Sequence, residues 1–183
     1  MSSKVTKIGN SSSVKLDLTG LKSLIKNINS QYTVKVGILG GDATQVHQRK
    51  ETGALAKGGG HKKGKNDSPT TNAEIGLAHE KGIKSKNLPR RSWLEVPLQD
   101  HLNEYFKKLG PEVISNMLVN QPKLAFQHLG LVCEQIILKG FETNGFGKWK
   151  ALKQSTINAK GSDRILVDTA QLKKSVTSEV VSK

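Results

Sequence analysis

Tyr32-Thr33-Val34-Lys35-Val36-Gly37-Ile38 is the stretch that decides the fold. Tyr32, Val34, Val36 and Ile38 alternate with Thr33, Lys35 and Gly37, a period of two that lays one face of a β-strand on a core. Gly40-Gly41 ends the strand. Upstream, Leu21, Leu24, Ile25 and Ile28 have the spacing of one helical face, so an amphipathic helix is expected there, entered through Asp17 or Thr19 as a cap and fraying into Asn29 and Ser30. Residues 1–16 are Ser-rich and weakly apolar, which suits an N-terminal arm or short strand.

Downstream, residues 40 to about 70 hold few large apolar side chains and collect Gly53, Gly58, Gly59, Gly60 and Gly64 with Lys57, Lys62, Lys63 and Lys65. Ordering such a backbone costs roughly 1–2 kcal/mol per residue, with little apolar burial to offset it, so a long flexible basic loop is expected at about 42–70. Helical signals then dominate. Thr71-Asn72-Ala73-Glu74 forms a capping box ahead of Ile75, Leu77 and Ala78, and Gly82 closes that helix. Leu94, Leu98, Leu102, Tyr105 and Leu109 mark the next helix. Ser92 with Glu95 could cap it, but Pro97 would then cost a first-turn hydrogen bond, so the expected start is near Val96.

Pro111 sits as the first residue of a helix carrying Val113, Ile114, Met117 and Leu118, and Pro122 ends it and opens the longest one, to about Lys139. Ala125, Leu129, Val132 and Ile136 make one stripe on that helix; Phe126, Gly130, Cys133 and Ile137 make a second. It therefore wants cover on more than one side, as a central core helix or, less readily, a subunit interface. Gly130 would let a neighbour approach closely. A Gly-rich loop, Asn144 to Gly147, leads to a short helix around Ser155–Lys160. Asp168 with Gln171 suggests a cap for a final turn, Ala170–Ser175, before a closing strand through Val176, Val180 and Val181. The expectation is one α+β domain over 17–183, with a small, mostly antiparallel sheet packed against several helices.

The 183 residues suffice for one core. Apolar residues make up 35%, below the usual level of about 45–50%, which also counts Gly. The formal charge of +14 favours a polyanionic neighbour. Cys133, the single cysteine, excludes an internal disulfide and a Cys-based zinc site and suggests a reducing compartment. No apolar run reaches membrane-spanning length and no secretory leader is visible, so a soluble protein with no membrane partner is expected.

Gly59-Gly60-His61-Lys62-Lys63-Gly64-Lys65-Asn66 follows the spacing of a phosphate-binding loop, but Asn66 stands where a Ser or Thr would hold magnesium. No strand enters the loop and no helix leaves it. His79-Glu80 lacks the second His of a metal-binding helix, which favours a structural pair. His47, His61, His101 and His128 are scattered, and Asp163 and Asp168 each have a structural explanation in Arg164 and in capping. The residues thus point to no catalytic centre, no cofactor and no metal. Lys57, Lys62, Lys63 and Lys65 could contact phosphates without reading bases, and no aromatic residue interleaves them to stack on single strands.

Four stretches, in order, resemble the tailed-bacteriophage virion morphogenesis family that includes the tail-completion and minor tail protein Z type. They are Val34 to Ile38; Ala73 to Gly82, with its Ala78-His79-Glu80-Lys81-Gly82 ending; Leu88-Pro89-Arg90-Arg91-Ser92-Trp93-Leu94; and Gly147-x-Trp149-x-x-Leu152 with Ser155-Thr156, Lys160-Gly161 and Leu166-x-Asp168-Thr169-Ala170-Gln171-Leu172-x-x-Ser175-Val176. Ala170 stands where that family usually carries Gly, and Lys150-Ala151 where Pro is common. The resemblance implies a non-enzymatic virion protein at the head-tail junction or neck, or at the upper tail end, working as one copy of a homo-oligomeric ring and assembled in the host cytoplasm. Its implied partners are other copies of itself and the tail terminator, tail tube or head-tail connector proteins, with non-specific contact to genomic DNA. Its motif residues, His79, Glu80, Pro89, Arg90, Trp93, Trp149, Leu152, Asp168, Thr169 and Leu172, would then be structural. The competing expectation, from charge alone, is a sequence-nonspecific nucleic-acid-binding protein of a mobile element.

Overall fold

The computed structural model describes residues 5–8, 11–14, 32–46, 71–166 and 170–183. The expected helix at Leu21 to Ser30, the basic loop with Lys57, Lys62, Lys63 and Lys65, the Gly59–Asn66 motif, His47, His61, Asp168 and Thr169 lie outside them. β1 (Val5–Ile8) and β2 (Ser11–Val14) pair antiparallel, Val5 opposite Val14. β3 (Tyr32–Ile38) is followed by α1 (Gly40–Thr44), α2 (Asn72–Lys81), a 3-10 turn (Lys84–Lys86), α3 (Glu95–Leu109), α4 (Pro111–Asn120), α5 (Pro122–Glu142), α6 (Gln154–Lys160), α7 (Gln171–Lys174) and β4 (Val176–Ser182).

β3 and β4 pair antiparallel, from Tyr32 opposite Ser182 to Ile38 opposite Val176. The alternation read from the sequence holds over most of the strand: Tyr32, Val34, Val36 and Ile38 are half-buried and Thr33 and Lys35 exposed, but Gly37, expected outward with them, is buried. α5 packs across this two-stranded ribbon. Gly130 sets the approach, since a Cβ there would fall 2.5 Å from Ser178 Oγ and 3.5 Å from Val34 Cγ1. The architecture is α+β, with the long helix central. One core cluster joins Trp93, Leu98, Leu102, Val132, Cys133, Ile137, Phe141, Trp149, Ile165, Leu172 and Val176. A second, built on Ile114, Leu118 and Phe126, takes in Tyr32, Val34 and Phe106.

Local signals placed most helix ends. Thr71 Oγ1 accepts from Glu74 N–H while the Glu74 carboxylate accepts from Thr71 N–H at 2.8 Å, the reciprocal box expected there. Pro111 and Pro122 occupy the first positions of α4 and α5. Four expectations are corrected. Residues 40–46 are not loop, because Gly40–Thr44 forms a helical turn and Val46 bridges to Thr71. α3 starts at Glu95; Pro97 then sits in the first turn, where a missing N–H is no loss because those donors have no intrahelical acceptor. α5 continues to Glu142, where Phe141 still has core to fill at 3% exposure. α7 spans only Gln171–Lys174, because Ala170, its N-cap, is left-handed at φ +59° and cannot be a helical residue.

That φ value carries a prediction. A Cβ in the left-handed region costs about 1–2 kcal/mol, so Ala170→Gly is expected to stabilise by about 1 kcal/mol in urea unfolding after its greater unfolded-state entropy is counted. Cys133 carries another. Desolvation first, and the Glu134 carboxylate second, push its thiol up to about 12. A thiol-specific reagent should therefore react only after unfolding. Because the folded value is raised, the unfolded chain gives up this proton first as pH rises. This group's contribution to stability is then complete below pH 9 and lost between 9 and about 12. Alkaline unfolding of Cys133→Ala, shallower over that window than that of the parent, is the check.

Candidate functional site

Glu80, in the last turn of α2, is 4% exposed and aims its carboxylate at the start of α3. It accepts from Ser92 Oγ at 2.6 Å, Trp93 N–H at 2.9 Å, Leu94 N–H at 3.0 Å and Glu95 N–H at 3.4 Å. An Arg90 guanidinium nitrogen lies 3.8 Å away. A buried carboxylate is costly unless every lone pair finds a donor, and here the donors include backbone N–H groups at a helix N-terminus, where the helix dipole favours negative charge. Ser92 Oγ accepts from Val96 N–H at 3.0 Å, so Ser92 caps, but Glu95 does not complete the reciprocal box. Its carboxylate takes Lys81 Nζ at 3.3 Å and Arg90 Nη2 at 3.2 Å instead. Arg90 also donates through Nε to the Glu80 carbonyl at 3.0 Å, which closes the clasp between α2 and α3.

A second clasp joins this turn to the segment after α5. Arg91, 6% exposed, donates through Nε to the Lys150 carbonyl at 3.1 Å, and Trp149 Nε1 donates to the Ser92 carbonyl at 2.9 Å. Desolvation lowers the Arg91 pKa from its ordinary value. Trp149 meets Phe141 edge-on at 5.8 Å between ring centroids, and Phe141 meets Trp93 at 5.9 Å. Trp93 Nε1 in turn donates to the Gly76 carbonyl at 2.8 Å. Asn144, Gly145, Phe146 and Gly147 all have positive φ, reversing the chain after α5 so that the indole returns to the core. A Cβ on Gly145 would overlap that indole.

Two surfaces stand out beyond the clasps. An open apolar groove of about 430 Å³ lies among α3, α4 and α5, lined by Phe106, Leu109, Ile114, Met117, Leu118 and Leu129 with their neighbours. On α4 and α5, Val113, Val119, Leu124 and Leu131 are exposed, Val119 at 68% and Leu131 at 55%. The other surface is basic: Lys84 and Lys86, ahead of Arg91, and Lys150 and Lys153, in the segment that Arg91 holds, are all exposed.

Of the motif residues singled out from the sequence, the clasps unite Glu80, Arg90, Trp93 and Trp149; His79 enters through its carbonyl, which accepts from Arg91 N–H at 2.8 Å. Pro89 is half-buried between them, and Leu152 and Leu172 pack on the main core. His101 instead stacks on Phe146 at 3.8 Å between centroids, and His128 lies 3.3 Å from the Tyr105 hydroxyl. Among the described residues no group of three or more His, Cys, Asp or Glu could hold a metal ion, and no helix is long and apolar enough to cross a membrane. Sequence reasoning missed Asn72, which is fully buried and donates to Ser175 Oγ at 3.0 Å and to the Asp42 carbonyl at 3.3 Å. Its position just inside a capping box gave no hint of that role. Gly76 was also missed, although a glycine inside a helix is a signal: a Cβ there would sit 2.8 Å from Ile38 Cδ1 and 3.0 Å from Trp93 Cζ2. Comparisons with family models, curated proteins and solved structures find no match for this chain.

Proposed function

We propose that the chain is a structural protein of a tailed-phage virion, at the head-tail junction or the upper tail end, acting as a subunit of a homo-oligomeric ring. The resemblance of the four sequence stretches motivates the reading. One structural observation carries it furthest: the residues of those stretches spend their polar groups on one another, Glu80 on the α3 start and Trp149 and Arg91 on the joined backbones. Side chains committed to holding segments together suit a building block, which works through a fixed shape.

The surface offered for self-association is the α4–α5 face, where Val113, Val119, Leu124 and Leu131 stand exposed next to the apolar groove. Light scattering of the purified protein should give an integral multiple of 19.9 kDa, and negative-stain averages should show a closed ring. The double substitution Leu124→Lys, Leu131→Lys is expected to yield a monomer with an unchanged circular dichroism spectrum. A parent protein that stays monomeric at tens of micromolar, or is missing from purified particles, overturns the proposal.

A further inference from the structure

Two sequence segments without a single carboxylate, 81–94 and 143–162, carry nine lysines and arginines between them: Lys81, Lys84, Lys86, Arg90, Arg91, Lys148, Lys150, Lys153 and Lys160. They are far apart in the chain, yet the buried bonds from Arg91 to the Lys150 carbonyl and from Trp149 to the Ser92 carbonyl fasten one to the other. Part of the charge is neutralised on the spot. Lys81 and Arg90 share Glu95, and Lys148 pairs with Asp100. Lys84, Lys86, Lys150 and Lys153 are different, for among the described residues none of the four lies within ion-pair distance of a carboxylate, and all are exposed.

The fold ties the two lysine pairs to one clasp, since Lys84 and Lys86 lie in the turn before Arg91 and Lys150 supplies the carbonyl that Arg91 holds. The Ile83 and Leu88 backbones bond to each other at 2.9 and 3.0 Å, so Lys84 and Lys86 project from a tight turn whose base is three residues from Arg91. Five residues of chain separate Lys86 from Arg91, at most about 18 Å fully extended. We propose that this lysine-rich clasp binds the phosphate backbone of a DNA duplex without reading its sequence. Lysines are point charges that satisfy phosphates without the rigid planar fork of arginine, and phosphate contacts carry no sequence information. Trp93 and Trp149, the two tryptophans of these segments, are 3% and 9% exposed and turn inward, so neither indole is presented for an unpaired base to stack on. The proposal uses none of the lysines of the Lys57–Lys65 stretch and does not depend on ring assembly: a monomer that binds DNA, or a ring that does not, would each remove only one of the two proposals.

The test is titration of the full-length protein with a fluorescent 30-base-pair duplex of mixed sequence at 50–200 mM salt. Four neutralised phosphates contribute about −3.6 to the slope of log K against log salt, which weakens binding by on the order of 10²-fold across that range. The variant with Lys84, Lys86, Lys150 and Lys153 all changed to Gln should flatten the slope by about 3–4, and the same four changed to Arg should restore it. Lys107→Gln with Lys108→Gln, at the far end of α3 and about 20 Å away along the helix, should leave the slope alone. Because all four lysines are exposed, matching thermal melts confirm that the Gln variant is folded. Three results overturn the proposal: a slope change below about 1 in the Gln variant, a single strand of equal length bound more tightly than the duplex, or polyglutamate competing as well as DNA. The last would assign the surface to an acidic protein.

Discussion

Glu80→Ala is expected to lower the free energy of unfolding by about 3–5 kcal/mol, because it takes one shared acceptor from the Ser92 hydroxyl and the Trp93 and Leu94 N–H groups. The substitution removes the only acceptor given to Trp93 and Leu94 N–H, in a turn where Trp93 is 3% exposed and water cannot substitute freely. Each buried donor left without a partner costs about 1–3 kcal/mol. Arg90 keeps Glu95, which moderates the loss. For a chain of this size the midpoint of thermal unfolding should fall by about 10–15 °C. Glu80→Gln keeps the shape but replaces one carboxylate oxygen with an amide donor that faces other donors, so it should fall between the parent and Ala. Urea unfolding of the three proteins is the measurement. A loss below 1 kcal/mol for Ala would mean that water or a shifted Ser92 caps α3 equally well.

Trp149→Ala should cost about 3–5 kcal/mol, as truncation of a large buried aromatic does. The indole is 9% exposed, stands edge-on to Phe141 and donates to the Ser92 carbonyl, so the substitution loses apolar burial, a ring contact and a hydrogen bond together. It also loosens the segment that carries Lys150 and Lys153 from the Arg91–Ser92 backbone. Trp149→Phe separates these effects: it restores most of the volume without the N–H, so it should recover more than half of the lost stability. A double-mutant cycle between Trp149→Ala and Phe141→Leu should show coupling of about 0.5–1.5 kcal/mol from the ring pair. Full additivity would place the indole outside the core.

What could be read in advance was whatever rests on neighbours in the chain. The period of two in Tyr32–Ile38, the Thr71–Glu74 box and the prolines at Pro111 and Pro122 each act within a few residues, so spacing reveals them. Glu80 did not reveal its task, because its acceptor role depends on donors 12–15 residues ahead, across a turn. Nothing in His79-Glu80 separates a helix cap from a solvated acid. Ala170 misled in the other direction: the Asp168-to-Gln171 spacing matches a box, but the left-handed φ at Ala170 starts the helix later. Lys84 and Lys86 read as a basic stretch with Arg90 and Arg91, but no spacing ties that stretch to Lys150 and Lys153, which the bond from Arg91 to the Lys150 carbonyl does.

The chain's own order of residues determined that this is an α+β protein with a long central helix, because periodicity and end signals are properties of short windows. Tertiary structure alone decided that Glu80 and Glu95 are buried and which distant segments the Arg91 and Trp149 bonds join, whereas the close approach at Gly130 was legible in its helix. Those outcomes arise where segments far apart in the chain meet, through bonds such as those from Arg91 to the Lys150 carbonyl, 59 residues away, and from Asn72 to Ser175, 103 residues away. The energy of such a contact depends on geometry that neither segment specifies by itself.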